Sequence, residues 1–489
     1  MLFNSYIFVL VFMPVFLVAF MQLRRTTYGK TGRGSACKWT VVALSLIFYA
    51  PFGAKNMAVL LLSVLFNALI ARKFRSVKKG GIYFAVLINV AALLFFKFWG
   101  KIPGIGFAFF PVAVSFFTFS QISYLVDMSR GEIGEFDLPD YLSYILFFPK
   151  LLQGPLMGYR DFVTSLDRAI GMEGETDWER LLRGMLLFSI GLFKKVILAD
   201  TFGKAVDFGY QDAVGLGSIE ALLVAVFYSF QLYFDFSGYC DMAGGICCMI
   251  GFELPANFNS PYKAVNIVDF WKRWHITLTG FFTKYVYIPL GGNRRGRARM
   301  CVNFMIVFLL SGLWHGNGIT FIVWGAMHGV LFVITRLWMM REKSKNMVPA
   351  VGVAGRINHA VKVLLTFTYV TAAWVFFRAP SVGDAMTVLE RVFTGGVGPI
   401  ATKLSAVFQL DELWYILKVT PVMKLGFAWD FCMWLFTAVA VVVIFFMKNA
   451  SEFTRTCKIG VRTTLCTVFL MLWSILSFAQ VSTFLYMNF

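Results

Sequence analysis

Histidine is the residue type in this chain best suited to proton transfer, and the chain has only four: His275, His315, His328 and His359. His315 lies in LWHGNG, flanked by glycines and by two apolar segments. An ionisable residue among such segments is costly to bury and by default marks a candidate functional site. Burial disfavours the charged imidazolium, and the neutral ring is the form that a general base needs. The sequence therefore predicts chemistry at His315, assisted by His275; a buried histidine bonded to a carbonyl group is the alternative.

The remaining histidines do not indicate a metal site. His328 follows His315 by thirteen residues, which is not a spacing, such as i, i+4, that presents two ligands on one helix face. We predict no metal. His359 lies in the basic segment 341–362, which we expect to be a solvated loop. His275 lies in DFWKRWHITL, within the aromatic and basic segment 263–299. That segment is either an interfacial helix anchored by Trp and Arg or part of the active centre.

Charged residues also interrupt two apolar runs. In QLYFDFSGYCD, Asp235 and Asp241 lie at the end of an apolar segment. They form either a water-facing cap or a wall of the reaction chamber, where they would fix local structure or pair with arginines. In GLFKKVILAD, Lys194 and Lys195 lie inside an apolar segment. A lysine buried there requires an acidic or carbonyl partner.

The elements that must position these side chains are membrane-spanning helices. The 489 residues are 58% hydrophobic and 15% charged, with a mean hydropathy of +0.71, which is far from the composition of a soluble domain. A spanning helix needs about 20 apolar residues. The sequence predicts an all-α polytopic membrane protein of one integral-membrane domain, 1–489, with about twelve spans. They fall near 3–22, 39–54, 56–71, 81–99, 106–128, 182–199, 218–236, 302–316, 318–335, 363–378, 426–447 and 463–485.

The net charge of +19 comes from Lys and Arg clustered in short segments between the apolar runs. This is the pattern of positively charged cytoplasmic loops, with contact to anionic lipid, and it replaces the nucleic-acid interpretation that a soluble protein of this charge would invite. All the basic clusters fall on one side if the N-terminus is outside, and an even number of spans then returns the C-terminus to the outside.

Two segments contain helix-breaking residues within apolar sequence. Residues 140–159 include Pro149, Lys150 and Gly154-Pro155, and residues 238–262 include Gly244-Gly245, Pro255 and Pro261. Broken backbone at membrane depth is tolerated only where protein or a watery cavity surrounds it. We expect both segments to be re-entrant or partly immersed helices on the cytoplasmic side.

Short motifs follow one another from end to end of the chain. They are MLFNSYIF at the start, PVAVSFFTFSQISYLVDMSRG (111–131), QGPLM (153–157), GLFKKVILAD (191–200), QLYFDFSGYCDMA (231–243), NFNSPY (257–262), DFWKRWHITLTGFFTKYVYIPLGGNRRG (269–296), GLWHG (312–316) and FLYMNF at the end. This series resembles the membrane-bound O-acyltransferase (MBOAT) family. The likeness is to the bacterial polysaccharide O-acetylation branch, typified by the alginate O-acetylation membrane protein, with the teichoic-acid D-alanine-transferring member more distant.

The resemblance implies an MBOAT fold, with helices around a central tunnel and a catalytic centre at about 231–330. It implies that His315 is the catalytic histidine and that His275 is the second characteristic histidine, nearer the cytoplasm. The expected donor is acetyl-CoA, a substrate that arrives from the cytoplasm, and no bound cofactor is expected. Candidate residues for the tunnel or donor site are Trp314, Asp235, Asp269, Lys272, Arg273, Asn293 and Arg294.

The C-terminal span and aromatic motif, 463–489, resemble a motif whose tyrosine is thought to carry the acyl group. Tyr486 is therefore a possible acyl relay, and an interfacial aromatic anchor is the alternative. The resemblance implies a bacterial inner-membrane O-acetyltransferase that passes acetyl across the membrane. The chain has no G-x-S-x-G elbow, so we expect an extracytoplasmic SGNH or serine-esterase-like acetyltransferase as partner and a cell-envelope polysaccharide as the final acceptor.

Two other functions stay open at this point. Broken helices and buried charges also fit a non-catalytic transporter or channel. An acyltransferase of the same family with a lipid or protein acceptor would carry the same histidines.

Overall fold

The fold was taken from a computed structural model, which describes residues 1–27, 34–73, 79–98, 109–172, 177–343, 352–410, 418–421, 426–480 and 484–485. Within these ranges the regular structure is entirely helical. The α-helices are α1 (Met13–Thr27), α2 (Gly34–Tyr49), α3 (Ala54–Arg72), α4 (Lys79–Phe98), α5 (Val114–Ser129), α6 (Leu138–Leu146), α7 (Phe148–Leu151), α8 (Tyr159–Ile170), α9 (Trp178–Phe193), α10 (Asp200–Gln211), α11 (Ser218–Ile250), α12 (Ile267–Arg273), α13 (Ile276–Phe282), α14 (Arg297–His315), α15 (Ile319–Lys343), α16 (Gly352–Arg378), α17 (Val382–Thr394), α18 (Thr402–Ser405), α19 (Ala428–Phe445), α20 (Ala450–Thr456) and α21 (Val461–Leu476).

Eight helices of the described chain are long and apolar enough to cross a membrane: α2, α3, α4, α11, α14, α15, α16 and α19. Shorter apolar helices, Phe8–Arg24 and Val461–Leu476, lie at the first and last predicted spans. The predicted spans at 106–128 and 182–199 correspond to α5 and α9, which have 16 residues each. A helix therefore lies at every predicted span, and the total of twelve spans stays a prediction.

Helix α11 is the central element of the structure. Its 33 residues are mostly buried, and they contribute to two large apolar clusters, one around Phe202 and Trp374 and the other around Phe148 and Tyr239. The expectation that 238–262 forms a broken, re-entrant segment is wrong over its first half. The helix continues to Ile250 and ends at Gly251, whose φ of +84° favours glycine.

The glycine pair in α11 explains why that expectation failed. A Cβ on Gly245 would lie 2.6 Å from both the carbonyl oxygen of Gly184 and the backbone nitrogen of Phe188 in α9. Glycine is needed there for two helices to approach backbone to backbone, which is common in membrane helix packing. Gly244 meets only Leu187 Cδ2, at 3.4 Å. The pair therefore marks a helix contact and not a helix break.

The buried lysines have the acidic partners that their position requires. Lys194 Nζ lies 2.6 Å from Asp241 Oδ2, and Lys195 Nζ lies 2.8 Å from both Asp200 Oδ1 and Asp235 Oδ1. All of these side chains are at least 90% buried. The expectation of a partner for each lysine is confirmed. The suggested arginine partners for the aspartates are replaced by these two lysines.

The other unusual segments differ in outcome. Residues 140–159 are broken as expected, into α6, α7 and an irregular stretch, and Lys150 is buried with its Nζ 4.1 Å from the ring centroid of Tyr144. Segment 263–299 forms the short helices α12 and α13 and a turn. His359 is exposed, but it lies in α16 and not in a loop as expected, because the helix begins at Gly352.

Candidate active site

His315 is the last residue of α14, at the tip of a tight helical hairpin with α15. The two helices approach closely through glycines: a Cβ on Gly312 would collide with the carbonyl oxygen of Phe321, and one on Gly325 would lie 2.5 Å from that of Phe308. A Cβ on Gly316 would overlap the ring of Phe321. The glycines around His315 thus allow α15 to pack closely against α14.

Aromatic rings enclose the His315 imidazole, which is 3% exposed. Ring centroids lie 4.4 Å away for Trp314, 5.2 Å for Trp324 and 4.9 Å for Phe377. A low-polarity enclosure of this kind excludes water and strengthens any electrostatic interaction made inside it. The position suits a neutral proton acceptor.

His275 is held in an unusual backbone conformation with φ = +44°, in the left-handed region that few residues other than glycine adopt. Asn257 fixes it there: its Oδ1 accepts from Thr277 N (3.2 Å) and Thr277 Oγ1 (2.9 Å) and lies 3.1 Å from His275 Nδ1. Because a backbone N–H must meet an acceptor, the amide oxygen is correctly assigned, and His275 Nδ1 is the donor. The Nε2 atom of the neutral ring is therefore the basic nitrogen.

Trp314 connects the two histidines. Its ring centroid lies 6.2 Å from that of His275 and 4.4 Å from that of His315. The structure therefore brings together residues 40 positions apart in the sequence, as the assignment of a joint site requires. His328 is also one tryptophan away from His315, since the Trp324 ring centroid lies 5.2 Å from that of His315 and 4.9 Å from that of His328. Its Nδ1 accepts from Trp271 Nε1 at 3.3 Å.

A cavity of about 950 Å³ lies next to the candidate site, separated from His275 by Asn257, and neither His275 nor His315 is among its lining residues. Its lining includes Asn257, the residue bonded to His275, together with Cys240 and Asp241 of α11. Cys240 lies ten residues before the end of α11. The cavity thus extends about 15 Å along α11 from its C-terminal end, at ~1.5 Å per residue.

The lining of this cavity is rich in arginine. Its charged residues are Arg168, Arg180, Arg183, Arg455, Asp161, Asp241 and Glu253. Arg183 donates to the carbonyl oxygens of Thr454 and Cys457, so it holds α20 beside α9, whereas Arg455 is exposed at the rim.

The basic and polar residues proposed from the sequence for the donor site lie elsewhere. Lys272, Asn293 and Arg294 are exposed, and Arg273 pairs with Asp269 in α12 at 2.9 Å. None of these five lines the cavity. The cavity arginines and Asn257 were missed because they carry no local pattern: they come from α8, α9, α20 and the segment after α11, which only the fold brings together.

Asp235 contacts the C-terminal segment. Its Oδ2 accepts from Leu485 N at 3.1 Å, while Oδ1 binds Lys195. Phe484 is fully buried, 5.2 Å from the Tyr239 ring, and Lys195 Nζ lies 4.9 Å from the Phe484 ring centroid. The residue before the proposed relay is thus anchored inside the helix bundle. Tyr486 itself lies outside the described residues.

Comparison with known proteins agrees with this architecture. The model of the membrane-bound O-acyltransferase family, MBOAT, matches residues 107–377, which include both histidines. The chain is a member of that family. Membership makes it an acyltransferase and a multi-pass membrane protein, and the resemblance found in the sequence is confirmed.

Individual relatives indicate which branch of the MBOAT family this chain resembles. The peptidoglycan O-acetyltransferase of Helicobacter pylori is 33% identical, over 100% of this chain and 98% of its own length. The probable alginate O-acetylase AlgI of Pseudomonas putida is 32% identical over 81% of both chains. The teichoic acid D-alanyltransferase of Bacillus subtilis is 28% identical over 54% of this chain and 68% of its own. The relatives thus include the bacterial polysaccharide O-acetylation branch.

Proposed function

We propose that this protein is an O-acetyltransferase of the bacterial inner membrane, which takes acetyl from cytoplasmic acetyl-CoA and passes it outward for O-acetylation of a cell-envelope polysaccharide. The observation that carries the proposal is the arginine-lined cavity that ends at Asn257, in contact with His275 and one tryptophan away from His315. The relatives' names supply the acetyl group and the class of acceptor.

The cavity fits the donor. Its volume lies within the usual range for small-molecule sites, and arginine side chains bind phosphate well. We expect the CoA phosphates near the arginines and the thioester at the inner end, beside Asn257. Because basic segments face the cytoplasm, the arginine-rich mouth is the cytoplasmic one, and both termini lie outside.

His315 acts as the general base. As an acceptor hydroxyl attacks the thioester carbonyl carbon, His315 takes the hydroxyl proton. The tetrahedral intermediate then expels the CoA thiolate, which takes up the proton from the imidazolium. His275, with its basic Nε2 set by Asn257, orients the donor beside this base.

The phenol of Tyr486 is the proposed first acceptor. The two described residues before it support this proposal, because Phe484 and Leu485 dock beside Tyr239 and Asp235. An acetylated tyrosine would give its acetyl group to an extracytoplasmic serine-esterase-like transferase, which then modifies the polysaccharide.

Acetyl-CoA turnover tests the proposal. Purified protein in lipid nanodiscs is incubated with acetyl-CoA labelled in the acetyl group, and thiol release and label on the protein are followed. We expect His315→Gln to lower turnover by about 10²–10⁴-fold, the usual contribution of a general base. Full turnover in this variant would contradict the assignment, and absence of turnover in the native protein would favour the transporter. Lipid or protein labelled in place of glycan in whole cells would favour an acyltransferase with another acceptor.

A further inference from the structure

One half-buried lysine beside the His315 site has its ammonium shielded from solvent, with no carboxylate partner among the described residues. Lys97 is near the end of α4, and its Nζ atom is shielded from solvent without a hydrogen-bond or ion-pair partner among the described residues. Its ammonium lies 6.0 Å from the ring centroid of Trp314, at the outer limit of a cation–π contact. The following segment, 99–108, has the sequence WGKIPGIGFA, which contains no acidic residue.

The backbone ties Lys97 to the histidine hairpin. Its carbonyl oxygen accepts from Asn317 Nδ2 at 2.9 Å, and Asn317 is two residues after His315. Lys97, Trp314 and His315 therefore form one local group.

An ammonium buried without a carboxylate costs several kcal/mol. Two other buried lysines pair with carboxylates: Lys194 with Asp241, and Lys195 with Asp200 and Asp235. A third, Lys150, has the Ser120 hydroxyl at 3.4 Å and the Tyr144 ring centroid at 4.1 Å. Lys97 lacks a carboxylate partner among the described residues, at the place where acyl transfer would generate negative charge. A fixed positive charge contributes most to a reaction when it faces charge that develops only in the transition state.

We propose that the ammonium of Lys97 stabilises the oxyanion of the tetrahedral intermediate formed at His315. The inference rests on the proposed function and adds a catalytic group to it. As the acceptor oxygen bonds to the carbonyl carbon, the carbonyl π electrons move to its oxygen and the hydroxyl proton moves to His315. Lys97 attracts that oxygen. When the carbon–oxygen double bond re-forms, the carbon–sulfur bond breaks and the thiolate takes the proton from His315; Lys97 makes and breaks no covalent bond.

The test compares Lys97→Met, which keeps the length of the side chain and removes its charge, with Lys97→Arg. Purified variants in nanodiscs are assayed for the kcat and KM of CoA release from acetyl-CoA and for Tm. We expect Lys97→Met to lower kcat about 10²-fold, as for loss of one oxyanion donor, with KM within about 2-fold and an unchanged or higher Tm, since a buried charge is removed. Lys97→Arg should recover most of kcat. Lys55→Met removes an exposed charge at the start of α3 and should match the native protein.

A Lys97→Met variant within about 3-fold of native kcat would overturn the proposal, given the ~10² expected of such a donor. So would equal losses in Lys97→Met and Lys97→Arg, or a loss of kcat accompanied by a lower Tm, which would indicate a structural role. His315→Gln in the same assay distinguishes a failure of the proposed function from a failure of the role proposed for Lys97. If it keeps turnover, the proposed function fails; if it is inactive while Lys97→Met is active, only the role of Lys97 fails.

Discussion

At the scale of single residues, the site depends on a network around one amide. Asn257 accepts hydrogen bonds from His275 and Thr277, and Thr277 Oγ1 in turn accepts from Leu156 N at 3.0 Å. One side chain therefore positions the second histidine and joins it to the QGPLM segment. His315 could be proposed from sequence because an ionisable residue between apolar segments is rare, and His275 because it lies in the unusual stretch DFWKRWHITL. An asparagine in NFNSPY, by contrast, looks like an ordinary turn residue.

Replacement of that amide tests the network. Asn257→Ala removes the shared acceptor, and each buried donor left without one costs about 1–3 kcal/mol. We expect a lower Tm and, because His275 loses its orientation, turnover of acetyl-CoA reduced by up to about 100-fold, the cost of misplacing a reacting group by about 1 Å. Asn259→Ala, an exposed asparagine two residues away, is the control and should behave as native. Equal behaviour of the two variants would contradict the positioning role.

At the scale of elements, α11 shows where sequence patterns mislead. Apolar periodicity located its first part, but the Gly244-Gly245 pair suggested a break, because glycine weakens an isolated helix. In the folded protein the cost is offset by a backbone contact with α9 that only glycine permits. The sequence shows how a glycine affects its own helix, but it does not show which neighbouring helix packs closely against that glycine.

The glycine pair offers its own control. Gly245→Ala would place a methyl group 2.6 Å from backbone atoms of α9, so the helices must separate, and overpacking of this kind costs about 1–3 kcal/mol or more. Gly244→Ala meets only the flexible end of Leu187 and should be neutral or slightly stabilising. Thermal unfolding in detergent compares them. A greater loss of Tm for Gly244→Ala would contradict the close α9–α11 contact.

The C-terminal segment is the second element whose role can be tested. Phe484→Ala removes a fully buried ring, and such losses cost about 3–5 kcal/mol, which is enough to undock the segment. We expect acetyl label on the protein to fall at least as far as in Tyr486→Phe, while Tm changes little. Phe469→Ala, on a ring that is 57% exposed in α21, is the control. Normal labelling of the protein in Phe484→Ala would indicate that the C-terminal segment serves only as an anchor and not in acyl transfer.

At the scale of the whole molecule, the basic segments and the arginine-rich cavity mouth distinguish one membrane-facing side of the protein from the other. The sequence predicted a helical membrane protein with basic segments, because composition and span length are local properties. It could not predict the cavity, whose lining combines distant segments, and the donor-site candidates Lys272 and Arg294 do not line that cavity.

The two sets of basic residues can be compared directly. We expect Arg180→Ala and Arg455→Ala each to raise the KM for acetyl-CoA at least about 10-fold, because a hydrogen bond to a charged group contributes roughly 1.5–3 kcal/mol and each ~1.4 kcal/mol is tenfold. Lys272→Ala and Arg294→Ala, at exposed positions outside the cavity, should leave KM unchanged. A raised KM in Lys272→Ala and Arg294→Ala, with an unchanged KM in Arg180→Ala and Arg455→Ala, would instead indicate a donor site at Lys272 and Arg294.

The central claim is that donor and acceptor meet at His315 from opposite sides of the membrane. The most direct measurement gives membrane-impermeant labelled acetyl-CoA to vesicles of known orientation. We expect CoA release only when the arginine-lined mouth faces the acetyl-CoA, with acetyl acceptors labelled only in the opposite compartment. Equal release in both orientations, or acceptors labelled on the side of the donor, would contradict it.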